Sequence, residues 1–191
     1  GGIREYSQIE INNLTGYPLL PIYTKDNYPF NSKEELDLVE LINKVRTFPR
    51  IFAQLFLDIE NAEQLQLSNF LENYSCVPPL QISYSLTQAA YYHANDLAKN
   101  GITGHIGRNG FSIGERIQKY SSEYAHYFGE NILFGKKKAL SIIIDMLIDK
   151  FIIDKKNRIN ILNENFEEIG LCISRHSIYK WECIILFNKP T

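Results

Sequence analysis

Apolar residues recur at helical spacing in two stretches between residues 32 and 101 of the chain. The capping-box pattern Ser32-Lys-Glu-Glu35 precedes an apolar stripe that runs to Pro49, which predicts one helix ending there and a second beginning at the proline. The pattern Ser85-Leu-Thr-Gln88 opens another stripe, which stops at Gly101, where glycine favours a helix end. These stripes predict that helices dominate this part of the chain.

The second half of the chain is predicted to contain two more helices followed by two strands. Ser112-Ile-Gly-Glu115 is a third capping box and predicts a short helix to about residue 120, and residues 136 to about 153 predict a longer buried helix. In residues 169–174 and 179–187 the enrichment in β-branched and aromatic residues predicts two strands. We expect these strands to form a hairpin whose turn is centred on Ser177-Ile178.

Length and composition indicate one domain. The 191 residues, 45% of them hydrophobic, suffice for a substantial core. Residues 1–31 mix aromatics and prolines and are predicted to form an extended arm on a domain that spans residues 32–191. The net charge of -2 provides no overall field that attracts nucleic acid or an anionic membrane. The longest apolar segment, Ala139 to Ile153, contains charged residues, so we expect no transmembrane helix.

The cysteines and the glycosylation sequons leave the cellular compartment open. The spacing of the three cysteines matches no metal-binding motif. If the hairpin turn is centred on Ser177-Ile178, Cys172 lies opposite Cys183, where a cross-strand disulfide can form, whereas a register shift of one residue excludes it. The triplets beginning at Asn13 and Asn73 would permit N-glycosylation in a secreted chain.

Histidine is the natural candidate for acid, base or ligand chemistry near neutral pH. His93 lies on an apolar helix stripe and is predicted to be structural, and His126 and His176 belong to no motif. His105 lies among glycines, and Glu130 follows a glycine in another connecting segment. An imidazole and a carboxylate brought together can bind a divalent cation or share a proton, although glycine-flanked polar residues are also ordinary in loops.

Six groups of short motifs follow one another along roughly residues 34–188. They are Pro79-Leu80 with Leu86-x-x-Ala89-Ala90-x-x-His93-Ala94-x-Asp96-Leu97; Gly104-His105 with Gly110; Arg116; Gly129-Glu130-Asn131-Ile132; Asn157-Arg158-Ile159-Asn160-Ile161-Leu162; and Phe166 to Gly170. In this order and spacing they resemble the CAP superfamily, also called the SCP/TAPS domain. That superfamily includes cysteine-rich secretory proteins, venom antigens and plant pathogenesis-related proteins.

The resemblance implies a fold and a site. It implies a three-layer α-β-α sandwich with a small, largely antiparallel central sheet, and a cleft that gathers two histidines and two acidic residues. By motif matching, His105 is the first histidine and Glu130 the first acid. At the second histidine position this chain has Asn157, and depending on the alignment the second acid is Asp149 or is replaced by Lys150.

These departures change what the cleft can do. Zinc prefers nitrogen, sulfur or carboxylate ligands, and the neutral amide of Asn157 is a poor one, so we expect no tight zinc site and no other cofactor; His105 and Glu130 are only weak metal candidates. An asparagine also cannot act as a base, so we assign no catalytic residues.

The function expected from the resemblance is binding. We predict a secreted, non-enzymatic protein that binds a protein partner or an apolar ligand such as a sterol or fatty acid. No secretory signal opens the sequence, so we expect one to have been removed. Two alternatives stay open: a divergent metal-dependent hydrolase that uses His105, Glu130 and Asp149, and an adhesion or recognition scaffold that acts through its surface.

Overall fold

The computed structural model describes Phe30 and residues 32–191. The Asn13 sequon and the predicted arm, apart from Phe30, lie outside the described residues. Phe30 is buried in the main hydrophobic core. Among the described helices, none combines the length and the apolar character that a membrane crossing requires.

Three helices precede the sheet: α1 (Lys33–Thr47), α2 (Pro49–Phe56) and α3 (Ala62–Glu72). The first predicted capping box is confirmed, because the Ser32 hydroxyl accepts from the Glu35 N–H and the Glu35 carboxylate accepts from the Ser32 N–H. Pro49 begins α2, as predicted. The sequence pattern did not predict α3, which is capped by Asn61 and buries only Leu67 and Leu71.

Two further helices lie in the middle of the chain, α4 (Tyr84–Asn100) and α5 (Ile113–Tyr120). The capping box predicted at Ser85 is wrong: Ser85 lies inside α4, and Ser83 caps the helix by accepting from the Leu86 N–H at 3.2 Å. The reason is that the Ser83 N–H donates to the Ile169 carbonyl at 2.8 Å, which holds Ser83 extended immediately before the helix begins. The Ser112 capping box is confirmed.

The last two helices are α6 (Ala139–Ile148) and α7 (Lys156–Leu162). The long helix predicted from residue 136 to about 153 is therefore shorter at both ends. Asp149 adopts left-handed backbone geometry with φ of 50° and ends α6, and Lys155 does the same, with φ of 53°, before α7. The apolar residues between them, 151–153, are exposed instead of helical and buried.

Four strands form one sheet in the order β1-β3-β4-β2. Their bounds are β1 Gln81–Ile82, β2 Tyr127–Phe134, β3 Glu168–His176 and β4 Lys180–Lys189. The short β1 is parallel to β3, while β3 with β4 and β4 with β2 are antiparallel. The sheet is thus small and largely antiparallel, and β2, which carries Glu130, is an edge strand.

The β3–β4 hairpin is present, but its predicted register is wrong by one residue. His176 pairs with Lys180, so three residues form the turn instead of two. Cys172 therefore lies opposite Ile184, and Cys183 lies opposite Ile173. Because a shift of one residue turns a side chain to the other face of the sheet, the two thiols lie on opposite faces and both are free. The structure contradicts the Cys172–Cys183 disulfide.

Helices cover both faces of the sheet. One face, with Cys172, Ile184 and Leu186, packs against α4 and α5. The other face, with Leu171, Cys183 and Ile185, packs against α1, α2, α3, α6 and α7 in the larger core. This arrangement confirms the predicted three-layer α-β-α sandwich.

Candidate functional site

Glu130 lies in β2 and is buried on the face that packs against α4 and α5. The residue is 1% exposed. Arg116 of α5, itself buried, donates from Nη1 to Oε2 at 2.5 Å and from Nη2 to Oε1 at 3.0 Å. Bidentate pairs of this kind are among the strongest charge-assisted hydrogen bonds in proteins. Glu130 is therefore one member of a buried ion pair.

His105 joins the same pair from the loop between α4 and α5. Its Nδ1 donates to Glu130 Oε1 at 2.8 Å, and its backbone carbonyl accepts from Arg116 Nη2 at 2.7 Å. The His105 side chain is 43% exposed, whereas the Glu130 side chain is fully buried. The structure thus brings His105 and Glu130 together and leaves the imidazole at the protein surface.

The glycines around His105 are required by the loop itself. Gly104 has a φ of 100°, and its carbonyl accepts from His93 Nε2 at 2.8 Å. A Cβ at Gly107 would lie 2.0 Å from Asp96 Oδ2, the atom that accepts the Arg108 N–H. His93 therefore has the structural role predicted for it, since it holds the loop that carries His105.

Burial and charge act in opposite directions on the ionisable groups here. Burial raises the pKa of Glu130, but the hydrogen bonds from His105 and Arg116 and the charge of Arg116 outweigh it and hold the pKa below its ordinary value. Burial lowers the pKa of His93, which favours a neutral ring although Glu130 lies 3.9 Å away. The carboxylate is thus ionised and already neutralised by its cation.

Glu182 of β4 shows what happens to a carboxylate in the same fold without such a cation. It is fully buried, and Ser174 Oγ donates to its Oε2 at 3.3 Å. Its Oε1 has no hydrogen-bond partner among the described residues. Burial raises the pKa of Glu182 to about 8.

Asn131, the residue after Glu130, points to the opposite face of β2, as strand alternation requires. Its Nδ2 donates to the Asn157 carbonyl at 3.0 Å, and its Oδ1 accepts from Asn160 Nδ2 at 2.9 Å. Asn157 in turn donates to Asp149 twice, from the backbone N–H to Oδ2 at 2.8 Å and from Nδ2 to Oδ1 at 2.9 Å. The four family-matched residues are therefore hydrogen-bonded as two pairs, His105–Glu130 and Asp149–Asn157.

The donor set does not fit the zinc ion that the resemblance raises. Both Glu130 oxygens already accept from Arg116, and both Asp149 oxygens accept from Asn157. Within residues 32–191 no group of three or more His, Cys, Asp or Glu side chains can share a metal ion. A buried arginine beside the carboxylate also repels a cation. We therefore derive no metal-dependent step from these residues.

Two residues have roles that the sequence pattern did not reveal. Arg116 stood in a family motif without a stated role, and its partner Glu130 is 14 positions away in the sequence. His176 ties the hairpin end to the α4–α5 loop, because its Nε2 donates to the Ile102 carbonyl at 2.9 Å and its Nδ1 accepts from the Ile178 and Tyr179 N–H groups. Neither contact has a local sequence signal. His126 is exposed.

The family model of the Cysteine-rich secretory protein family, CAP, matches residues 39–184 of this chain. The chain belongs to the CAP family. This match includes all four family-matched residues and excludes the whole predicted arm. A search of curated proteins returned no match.

Solved structures show that the fold is shared with other CAP-like chains. An outer surface protein from Borrelia burgdorferi is 17% identical with a TM-score of 0.59, covering 85% of this chain and 97% of that one. An SCP-domain extracellular protein from Bacillus anthracis is 16% identical with a TM-score of 0.52, covering 89% and 45%. A cysteine-rich secretory protein from Staphylococcus aureus is 14% identical with a TM-score of 0.52, covering 87% and 40%. This CAP chain thus spans less than half of the last two structures.

Proposed function

We propose that this CAP chain is an extracellular protein that acts by binding, without catalysis of its own, and that its ligand is a protein partner or an apolar molecule. Membership of a family that is typically extracellular supports the compartment. Exposed Asn73, at the end of α3, is accessible for the glycosylation that its sequon predicts. Asn73 modification stays a prediction, as does the sequon at Asn13.

One observation carries the proposal. Glu130, the acid that contacts His105, is held by Arg116 at both oxygens, and its pKa is lowered. A general base works best with a pKa near the operating pH and with a free lone pair toward the substrate. Glu130 has neither property, so its role is to fix Arg116 and His105 in place.

A cavity of about 410 Å³ offers room for a small ligand at the edge of the sheet. Its wall combines apolar side chains of β2 and α6, such as Leu133, Ile144 and Ile148, with the Asp149–Asn157 pair. Small-molecule sites are commonly apolar cavities of this size with a few polar groups. The Asp149–Asn157 pair thus lines a cavity of mixed polar and apolar character, which also includes Phe151 and Ile152 and which is the proposed ligand site.

Zinc titration tests the proposal. We expect calorimetry on the full chain to show no zinc binding at micromolar or tighter affinity, because the available carboxylate oxygens are already occupied. His105→Ala should leave the titration unchanged, and His126→Ala, at an exposed position, is the matched control. Tight binding that disappears in His105→Ala but persists in His126→Ala would reject the non-catalytic proposal.

One observation favours the hydrolase alternative enough to keep it as a second candidate. His105 is partly exposed while Glu130 holds its Nδ1, an arrangement that orients the other ring nitrogen toward a substrate. Asp149, the third residue of that alternative, is hydrogen-bonded to Asn157 in the separate network on the other face of β2, so the alternative rests on His105 and Glu130. Hydrolysis of ester or peptide substrates by the wild type, lost in His105→Ala and retained in His126→Ala, would establish it.

A further inference from the structure

Three consecutive large apolar residues are exposed between α6 and α7. Phe151 is 88% exposed, Ile152 40% and Ile153 101%. Single exposed apolar residues are normal on protein surfaces, but a run of three is disfavoured unless it has a partner. We call residues 150–154 the apolar loop.

Backbone geometry and hydrogen bonds fix the base of the apolar loop in one conformation. The residues on either side, Asp149 and Lys155, both have positive φ, a backbone geometry that non-glycine residues rarely adopt. The Asp149 carboxylate accepts twice from Asn157, and its carbonyl accepts from Lys155 Nζ at 2.9 Å. Inside the loop, the Ile152 N–H donates to the Asp149 carbonyl at 3.1 Å and the Lys155 N–H to the Ile152 carbonyl at 3.2 Å. A loop fixed in this way loses little conformational entropy when it binds.

Four cations lie within the apolar loop or shortly after it in the sequence. They are Lys150, Lys155, Lys156 and Arg158. The acids in the same stretch are Asp154, which is exposed, and Asp149, which is buried and occupied by Asn157. Lys150 has an exposed partner in Glu63 at 3.4 Å. These four cations and the three acids Asp149, Asp154 and Glu63 leave one net positive charge at the loop, although the whole chain has a net charge of -2.

We propose that the apolar loop docks this protein on a lipid bilayer, with Phe151 and Ile153 inserted at the boundary of headgroups and acyl chains and the flanking cations facing anionic headgroups. A run of exposed apolar residues flanked by cations is the combination that binds membrane interfaces. A protein partner is the competing occupant of this surface, and vesicle binding distinguishes the two. This proposal rests on the proposed function, because it identifies a lipid bilayer as the apolar ligand that the proposed function leaves open.

Vesicle binding tests the proposal directly. The full chain is co-sedimented with unilamellar vesicles of phosphatidylcholine alone and of phosphatidylcholine with one third phosphatidylserine. We expect binding to both, stronger with phosphatidylserine, and this preference should weaken in high salt. The double variant Phe151→Ser/Ile153→Ser should bind about tenfold more weakly or worse, because it removes the inserted apolar surface.

Three further variants separate insertion of the loop from nonspecific adsorption to vesicles. Ile178→Ser is the matched control, because Ile178 is also an exposed isoleucine, 65% exposed, but lies in the β3–β4 turn. It should bind vesicles as the wild type does. Lys156→Gln, at an exposed position, should reduce only the preference for phosphatidylserine. In Phe151→Trp, vesicles should shift the added tryptophan emission to shorter wavelength.

Either of two results would overturn the proposal. One is a wild-type chain that stays in the supernatant with both vesicle compositions, even if the loop is then found to bind a protein. The other is equal binding by the wild type and the Phe151→Ser/Ile153→Ser variant. Neither result bears on catalysis, whereas tight zinc binding through His105 would reject the proposed function without affecting the vesicle measurements.

Discussion

Glu130 and Asn131 are adjacent in β2, yet they belong to two different kinds of polar site. Glu130 forms a buried ion pair with Arg116 and holds His105. Asn131, on the other face, is part of a neutral amide network that reaches Asn157 and, through it, Asp149. The comparison shows that two adjacent motif residues can point to opposite faces of a strand and so join separate sites. It also shows that an ion pair on one face of β2 does not imply an ion pair on the other.

Removing the cation should have the largest effect. Arg116→Met leaves Glu130 buried without its partner, and breaking a buried pair in this way costs about 3–5 kcal/mol. Urea unfolding would measure the loss, with Arg50→Met at an exposed position as the control. A loss below about 1 kcal/mol would mean that the ion pair does not distinguish the two faces of β2.

The amide network on the other face of β2, which ends at the Asp149 carboxylate, should be less sensitive. Asp149→Ala removes two hydrogen bonds from Asn157 and puts alanine at a φ of 50°, so we expect a loss of about 1–3 kcal/mol. Asp149→Gly removes the same bonds but tolerates the backbone, and should therefore be less destabilised in the same urea experiment. Equal losses in the two variants would show that the left-handed geometry contributes nothing.

A pH series compares Glu130 with Glu182, the buried carboxylate without a cation. Because the folded pKa of Glu182 is raised from 4.5 to about 8, the folded state retains a proton that the unfolded state releases, and stability falls as pH rises through this window. Glu182→Gln should therefore be more stable than the wild type by about 1–3 kcal/mol near pH 9. An unchanged pH profile in Glu182→Gln would contradict this prediction.

Glu130 should give the free energy of unfolding the opposite pH dependence. Its pKa is lowered, so the stability it contributes is present above its ordinary value of 4.5 and is lost as pH falls through the lowered value. His105→Ala removes one hydrogen bond at a partly exposed ring and should cost only about 0.5–1 kcal/mol. If His105→Ala were as destabilising as Arg116→Met, His105 would be a principal support of the ion pair.

The sequence was most informative where local chemistry and motif order agreed. The capping boxes at Ser32 and Ser112 were found from four-residue patterns, because a cap is made within one turn. The three-layer fold followed from the order of the family motifs. The motifs also nominated His105 and Glu130, which the structure places in direct contact.

It was least informative where distant contacts or a single residue decide the geometry. Ser83 caps α4 instead of Ser85 because of its bond to Ile169, 86 residues later in the numbering of the chain. The pairing of Arg116 with Glu130 needs the packing of α5 on β2, which no local pattern encodes. The apolar residues after Asp149 read as buried helix, and only the structure shows that they are exposed.

The three-residue turn of the β3–β4 hairpin also bears on where this domain can fold. Because this turn places Cys172 and Cys183 on opposite faces of the sheet, no disulfide joins the two strands, and the fold does not depend on one. Both thiols are sealed in the core, while Cys76 is exposed. The hairpin therefore forms without an oxidation step, so this domain can fold in reducing as well as in oxidising surroundings.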